Sequence, residues 1–437
     1  MSSPHAWKKR PKMQVKKALA IRSARAMLSL WLLGAAAPSA GAARAGIFDG
    51  AVLRQRLELT FANGVFGGPG AAVISQAVAA AQYVMIGEDH GIAEIPAFSS
   101  ALCATVAPEG FHTLALEIGP STADVLSDTL AAADPVSAIA AYDSQHPFSI
   151  AFYDFSEEYA FLQACRNSMG AKDFAIWGID QELMGSSGAL LAAALASAAT
   201  PQERTALQRL IAEDNADFAK AAKSGNPGDM AMVRFDEGAL ASLQDQLAAS
   251  GGDATAIAEL LQSERIYREY GEAGEQSNTD RTQLHRNHFI ADDRAALAAT
   301  GAHPKVLVKM GAYHLFEGTS MLGDRELGNF LSEYAALQGA KAVNILILAP
   351  RGRQLAFAGI GRPYAPVTLD LLHDPRGDFS SLAPFFASLG ATPVIYDLRA
   401  LRVPFAKAGI ENVNLERIVY GYDLLVVIPV AHASHQV

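Results

Sequence analysis

Short, largely apolar, β-prone runs recur along the chain at residues 83–87, 113–118, 174–179, 305–310 and 342–348. They do not alternate with polar residues, which is the habit of strands covered on both faces. Between them the apolar positions fall at helical spacing, at 71–82, 96–106, from 121 onward, 135–142, 157–168 and 324–337. Weaker strand-like runs follow at 354–359, 393–398 and 424–430. Strands alternating with helices predict an α/β fold, with a mostly parallel central sheet and helices on both faces. Residues 186–300 hold no convincing strand. Alanine, leucine, glutamate and glutamine at helical spacing predict three or four helices there, broken at Thr200-Pro201, at 224–228 and at 250–252. This stretch reads as a helical insertion within a body spanning 46–437.

Polar residues gather where the strands end. The first run stops at Gly87 and continues Glu88-Asp89-His90-Gly91. The second ends in Glu117, the third in Asp180-Gln181-Glu182, and the fourth passes through Gly311 to Tyr313-His314. If these strands are parallel, their carboxyl ends share one edge of the sheet, which is where ligands bind in open α/β folds. Glu88, His90, Glu117 and His314 then form one candidate catalytic site. Two imidazoles and two carboxylates suit water activation, with a carboxylate fixing the histidine tautomer. The same four residues are also a plausible ligand set for a divalent metal. A second group lies on the helix before the fourth strand, where Arg281, His285 and His288 fall at i, i+4 and i+7 on one face. Arg281, Arg286, His288 and Asp180 are the candidate substrate-binding residues, with a solvated polar helix as the alternative reading of that face. No HExxH pair and no GxSxG elbow is present. The run Gly67-Gly68-Pro69-Gly70 follows no strand and lacks the Lys-Ser/Thr ending of a phosphate loop.

The chain of 437 residues carries a formal charge of −10 with no basic stripe in its body, which argues against a nucleic-acid partner. Its basic residues cluster at the start. Lys8, Lys9, Arg10, Lys12, Lys16, Lys17, Arg22 and Arg25 precede an apolar stretch and then small residues through Ala45. This is the pattern of a secretory leader over 1–45, cleaved after Ala40 or Ala45, with an uncleaved anchor as the alternative reading. Export implies a periplasmic or secreted protein with no stable membrane span once the leader is removed. The two cysteines, Cys103 and Cys165, sit in apolar helical stretches. They read equally as one disulfide or as two buried thiols.

The run 87–94 with 111–117, Trp177-Gly178-Ile179-Asp180, the helix 281–289, residues 309–314, and the endings at 395–399 and 422–427 together resemble the erythromycin esterase-like family. That family belongs to a superfamily with ChaN-type haem-binding proteins and Tiki-type proteases. The resemblance implies a hydrolase acting on an ester, lactone or amide of a small-molecule substrate, with His90 as the general base and no obligatory cofactor. Glu88 and Glu117 would support it and His314 would assist. It implies two alternatives for the same residues, a divalent metal in a Tiki-like metallopeptidase or haem in a ChaN-type binding protein without turnover. The Glu-x-His spacing matches the ChaN type more closely. In the haem reading the Tyr313-His314 pair supplies the axial candidate.

Overall fold

The computed structural model describes residues 40–437, apart from 273–274 and 375–376. The expected leader therefore lies outside the described residues, except that a helix, Ala40–Gln55, begins at its last turn. Ten strands follow: β1 (Leu57–Glu58), β2 (Tyr83–Glu88), β3 (Phe111–Leu116), β4 (Ala175–Gly178), β5 (Lys305–Gly311), β6 (Ala342–Leu348), β7 (Arg351–Ala356), β8 (Ala365–Asp370), β9 (Val394–Asp397) and β10 (Leu424–Val427). Eight of them form one sheet in the order β1-β9-β10-β6-β2-β5-β3-β4. From β10 through to β4 every neighbour is parallel, and only the β10–β9 and β9–β1 pairs at one edge are antiparallel.

Every residue of β2 is buried, from Tyr83 to Glu88. Each such aliphatic side chain contributes roughly 1.5–3 kcal/mol by leaving water, so register is strongly specified. From β2 the chain steps one way to β3 and β4, returns to place β5 between β2 and β3, then moves to the other side for β6. That reversal is a topological switch point, and the crevice lies at the carboxyl ends of the strands around it. Register carries the rest: Glu88 is opposite Gly311, and Leu116 is opposite both Lys309 and Gly178. The residues just past β2, β3, β4 and β5 are thereby brought to one edge.

The expected strand at 354–359 is instead β7, which pairs with β8 in a separate hairpin. β8 was not anticipated, because its residues are largely exposed and one is proline. The two-residue β1 is too short for any periodicity. Between β4 and β5 run the helices Ser187–Ser197, Pro201–Ser224, Glu237–Ser250, Thr255–Glu272 and Glu275–Thr300. They outnumber the expected three or four because 251–300 divides into two long helices. The first four build their own apolar cluster around Leu191, Leu207, Leu247 and Leu260. Among the described residues no helix is long and apolar enough to cross a membrane.

Cys103 and Cys165 form a disulfide, with their Cα atoms 5.2 Å apart. It joins the helix Glu94–Val106 to the helix Ser156–Met169 and closes a sequence separation of 62 residues. Loop-closure entropy for a crosslink of that span is worth about 4 kcal/mol in the chain-entropy model. The Cys103→Ala/Cys165→Ala double variant is expected to lose about 2–4 kcal/mol of unfolding free energy in urea titrations. An unchanged midpoint would show that the crosslink does not stabilise the fold.

Candidate active site

His90 follows β2 after a single residue, and its ring sits between two carboxylates. Nδ1 is 3.1 Å from Glu88 Oε1, and Nε2 is 3.3 Å from Glu117 Oε2. A neutral imidazole has one N–H, so it can donate to only one of them. Both contacts are satisfied together only by imidazolium. Burial alone would lower the His90 pKa, but the bonds to Glu117 and Glu88 prevail and raise it to about 10. One face of the ring stacks on Phe152, with centroids 3.8 Å apart and planes within 8°.

Each carboxylate has a further cation. Lys309 Nζ donates to Glu88 Oε1 at 2.6 Å and to Glu158 Oε1 at 2.8 Å. All three side chains are buried. Burial opposes charge on Glu88, yet Lys309 and His90 hold it below the usual carboxylate range. Glu158, left with Lys309 alone, is pushed by burial up to about 7. Arg281 Nη2 donates to Glu117 Oε1 at 2.8 Å, and the Gly311 N–H donates to Glu117 Oε2 at 2.5 Å. Despite burial, the His90 bond, with His314 and Arg281 nearby, keeps Glu117 ionised well below the ordinary range. Arg281 also clamps Asp180 through Nε at 2.9 Å and through Nη2, and His285 Nε2 meets Asp180 Oδ1 at 2.8 Å. The result is a chain of acids interleaved with cations, Glu158, Lys309, Glu88, His90, Glu117, Arg281 and Asp180, closed by His285, whose pKa burial lowers below the ordinary histidine value.

Glycine makes the close approaches fit. A Cβ on Gly311 would stand 3.1 Å from His90 Nε2 and 3.2 Å from Glu117 Oε2. Gly91, with φ 77°, accepts at its carbonyl from the Leu355 and Ser434 N–H groups. A side chain there would collide with the Leu355 carbonyl at 2.1 Å. The β7–β8 hairpin and the C-terminal tail are thus sewn to the residue after His90. The helix Pro120–Ala131 starts from Gly119 with no side-chain cap bond, which leaves the hydroxyls of its first turn free for other partners. Ser121 instead donates to Glu259, and Thr122 donates to Glu182 at 2.6 Å.

A cavity of about 240 Å³ opens here, lined by His90, Glu117, Asp180, Arg281, Thr122 and Tyr267 among others. Of the four residues expected to form the core of the site, Glu88, His90, Glu117 and His314 are brought together, but only His90 and Glu117 line the cavity. Glu88 lies beneath His90. His314 is 5% exposed and stands behind Glu117, with Nε2 3.5 Å from Glu117 Oε1 and Nδ1 3.2 Å from Glu326 Oε2. Arg281 and Asp180 belong to the cluster. His288 packs beside the backbone of Ile179 and Asp180 and does not line the cavity. Arg286 points elsewhere, as a correction to its expected role: it donates to the Arg325 carbonyl and covers the Phe330 ring. Five residues beyond Arg281, Arg286 lies about 140° further around the helix and so away from the sheet edge, whereas His285, one turn on, stays on the Arg281 face.

Lys309 had a readable signal, a lysine inside an apolar strand, since such residues are buried only when paired. Glu158, Phe152 and Tyr267 carried none. The donor set does not fit a metal. Among the described residues no group of three His, Cys, Asp or Glu side chains could hold one. Three of the four carboxylate oxygens of Glu88 and Glu117 already accept from Lys309, Arg281, His90 or the Gly311 N–H, leaving Glu88 Oε2, and an added cation would face both Lys309 and Arg281. Haem fares no better, because His314 is enclosed by two carboxylates and Tyr313 donates to Asp378 at 2.6 Å.

No protein-family model and no curated protein matches the sequence. Solved structures do match in fold. A Bacillus cereus protein aligns with TM-score 0.58 at 15% identity, over 90% of this chain and 99% of its own. A mutant of the erythromycin esterase EreC in its open conformation aligns with TM-score 0.59 at 15% identity, over 83% and 94%. A succinoglycan biosynthesis protein aligns with TM-score 0.56 at 14% identity, over 90% and 99%. The chain shares its α/β fold with these proteins along nearly their whole length.

The geometry predicts that His90 is imidazolium at neutral pH. Its folded pKa near 10 lies above an unfolded value of about 6.5. It therefore stabilises the fold fully below about pH 6.5, and this contribution is lost as pH rises through about 10. NMR titration of the ring should find the alkaline midpoint, and Glu117→Gln should lower it. A wild-type midpoint near the ordinary histidine value would contradict the two-carboxylate clamp.

Proposed function

We propose that this chain is an exported hydrolase that uses the Glu/His cluster to activate water against an ester, lactone or amide of a small molecule. The observation that carries this reading is His90 at the cavity wall, clamped by Glu88 and Glu117 with the Arg281 guanidinium beside it. Hydrolysis needs a base aimed at water and a positive group where the carbonyl oxygen gains charge. His90 Nε2 and Arg281 offer both in one small space. The shared fold with an erythromycin esterase is consistent with the reading.

The reactive form is the minor one. Neutral His90 takes a proton at Nε2 as the water oxygen bonds to the carbonyl carbon and the carbonyl electron pair moves onto oxygen beside Arg281. Collapse of the tetrahedral species breaks the bond to the leaving group, which receives the His90 proton. Glu88 and Glu117 orient the ring and stabilise the imidazolium formed. Lys309 and His314 act through those carboxylates as positioning residues. The metallopeptidase reading would set its cation beside Lys309 and Arg281, the haem reading would need His314 and Tyr313, which meet Glu117, Glu326 and Asp378, and no observation favours either. The disulfide supports export, since such crosslinks persist in oxidising compartments.

On a generic aryl ester, kcat/KM should climb about tenfold per pH unit from neutrality and level off near 10, following deprotonation of His90. His90→Ala should cost roughly 10²–10⁴-fold. Glu117→Gln should move the rise to lower pH while lowering the plateau. Full activity in His90→Ala would end this proposal.

A further inference from the structure

We propose that a second cavity, which shares the 147–155 segment as a wall with the catalytic one, binds an organic ammonium group. Ser149, Ala151 and Phe152 line the catalytic cavity, while Pro147, Phe148 and Asp154 line the other, of about 350 Å³. The key residue is Asp154. It is only 4% exposed, and its Oδ1 has no hydrogen-bond partner among the described residues. The Gln436 side chain, on the same cavity wall, supplies a neutral donor to this carboxyl, but a buried oxygen left without one is costly and favours a further donor from outside the chain.

The surroundings select the class of donor. Asp143 lines the same cavity, and burial together with its charge raises the Asp154 carboxyl to about 7. No cation is among the groups that set that value. Arg362 also lines the cavity, but its guanidinium rests against Gly225, where a Cβ would meet Nη2 at 3.1 Å. A positively charged donor is therefore favoured over a neutral one. The remaining wall is aromatic: Phe148 lies 6.5 Å from Phe218 and 6.3 Å from Tyr364, centroid to centroid. Aromatic faces beside a carboxylate attract organic cations through the ring quadrupole. Calcium or magnesium would need a shell of oxygens that this wall does not offer. The inference does not depend on what the catalytic cavity turns over.

The test is calorimetric titration of the full chain with n-butylammonium chloride at about pH 8, above the Asp154 range, with n-butanol as the neutral match. Saturable binding of the ammonium but not the alcohol is expected. Asp154→Asn should weaken it at least about tenfold, the scale of a lost charge-assisted hydrogen bond. Phe218→Leu, on a helix of the insertion, should weaken it several-fold and serves if Asp154→Asn does not fold. No saturable heat from the ammonium, equal binding of the alcohol, or affinity unchanged in both variants would overturn the proposal.

Discussion

A carboxylate moved out of water costs several kcal/mol unless a cation meets it. The edge of this sheet buries Glu88, Glu117, Glu158 and Asp180 within one cluster. Their coexistence is the constraint from which the rest of the site follows. Lys309, His90 and Arg281 are interleaved among them, so no acid lacks a positive neighbour. Such an array is stiff. Moving one member strands the next, which holds His90 in one orientation without a dedicated scaffold. It also sets the chemistry, because a histidine bridging two anions keeps its proton at neutral pH.

The strands that carry the cluster were legible because each is a largely apolar run that stops at polar residues. Glu88, His90, Glu117 and Asp180 could be placed at one edge by assuming parallel neighbours, and β2, β3, β4 and β5 are parallel. What escaped the sequence depends on tertiary approach. Phe152 reaches His90 from a loop with no periodicity, and Glu158 reaches Lys309 from a helix whose one other acid, Glu157, is only half-buried and turns to His435 instead. Arg286 and Arg281 could not be separated by spacing alone, since the angle of the helix to the sheet decides which one arrives. The cysteine pair was undecided for the same reason: two apolar helices give no sign of packing side by side.

Closure of the site is distributed through the chain. The β7–β8 hairpin bonds to Gly91 from one direction and the C-terminal tail from another. The same tail presents His432 and His435 to Glu94 and Glu157, in the first turns of the two disulfide-linked helices. Residues nearly the whole chain apart therefore fix the loop that follows His90. The shared fold with solved structures at about 15% identity is understandable on these terms. Strand order and register suffice to define the edge, and the side chains above it can vary.

Phe148 and Phe152 both adopt left-handed backbone conformations, at φ 61° and 62°. For bulky residues each such conformation costs about 1–3 kcal/mol, and glycine would relieve it. Against that strain stand only the contacts of the two rings, Phe152 on His90 and Phe148 on Phe218, Phe357 and Tyr364. Their presence marks this wall as a place where durability and activity pull in opposite directions. An effort to harden this protein against heat by relaxing strained positions would find its easiest gains there, and would take them from the ring that lies on His90.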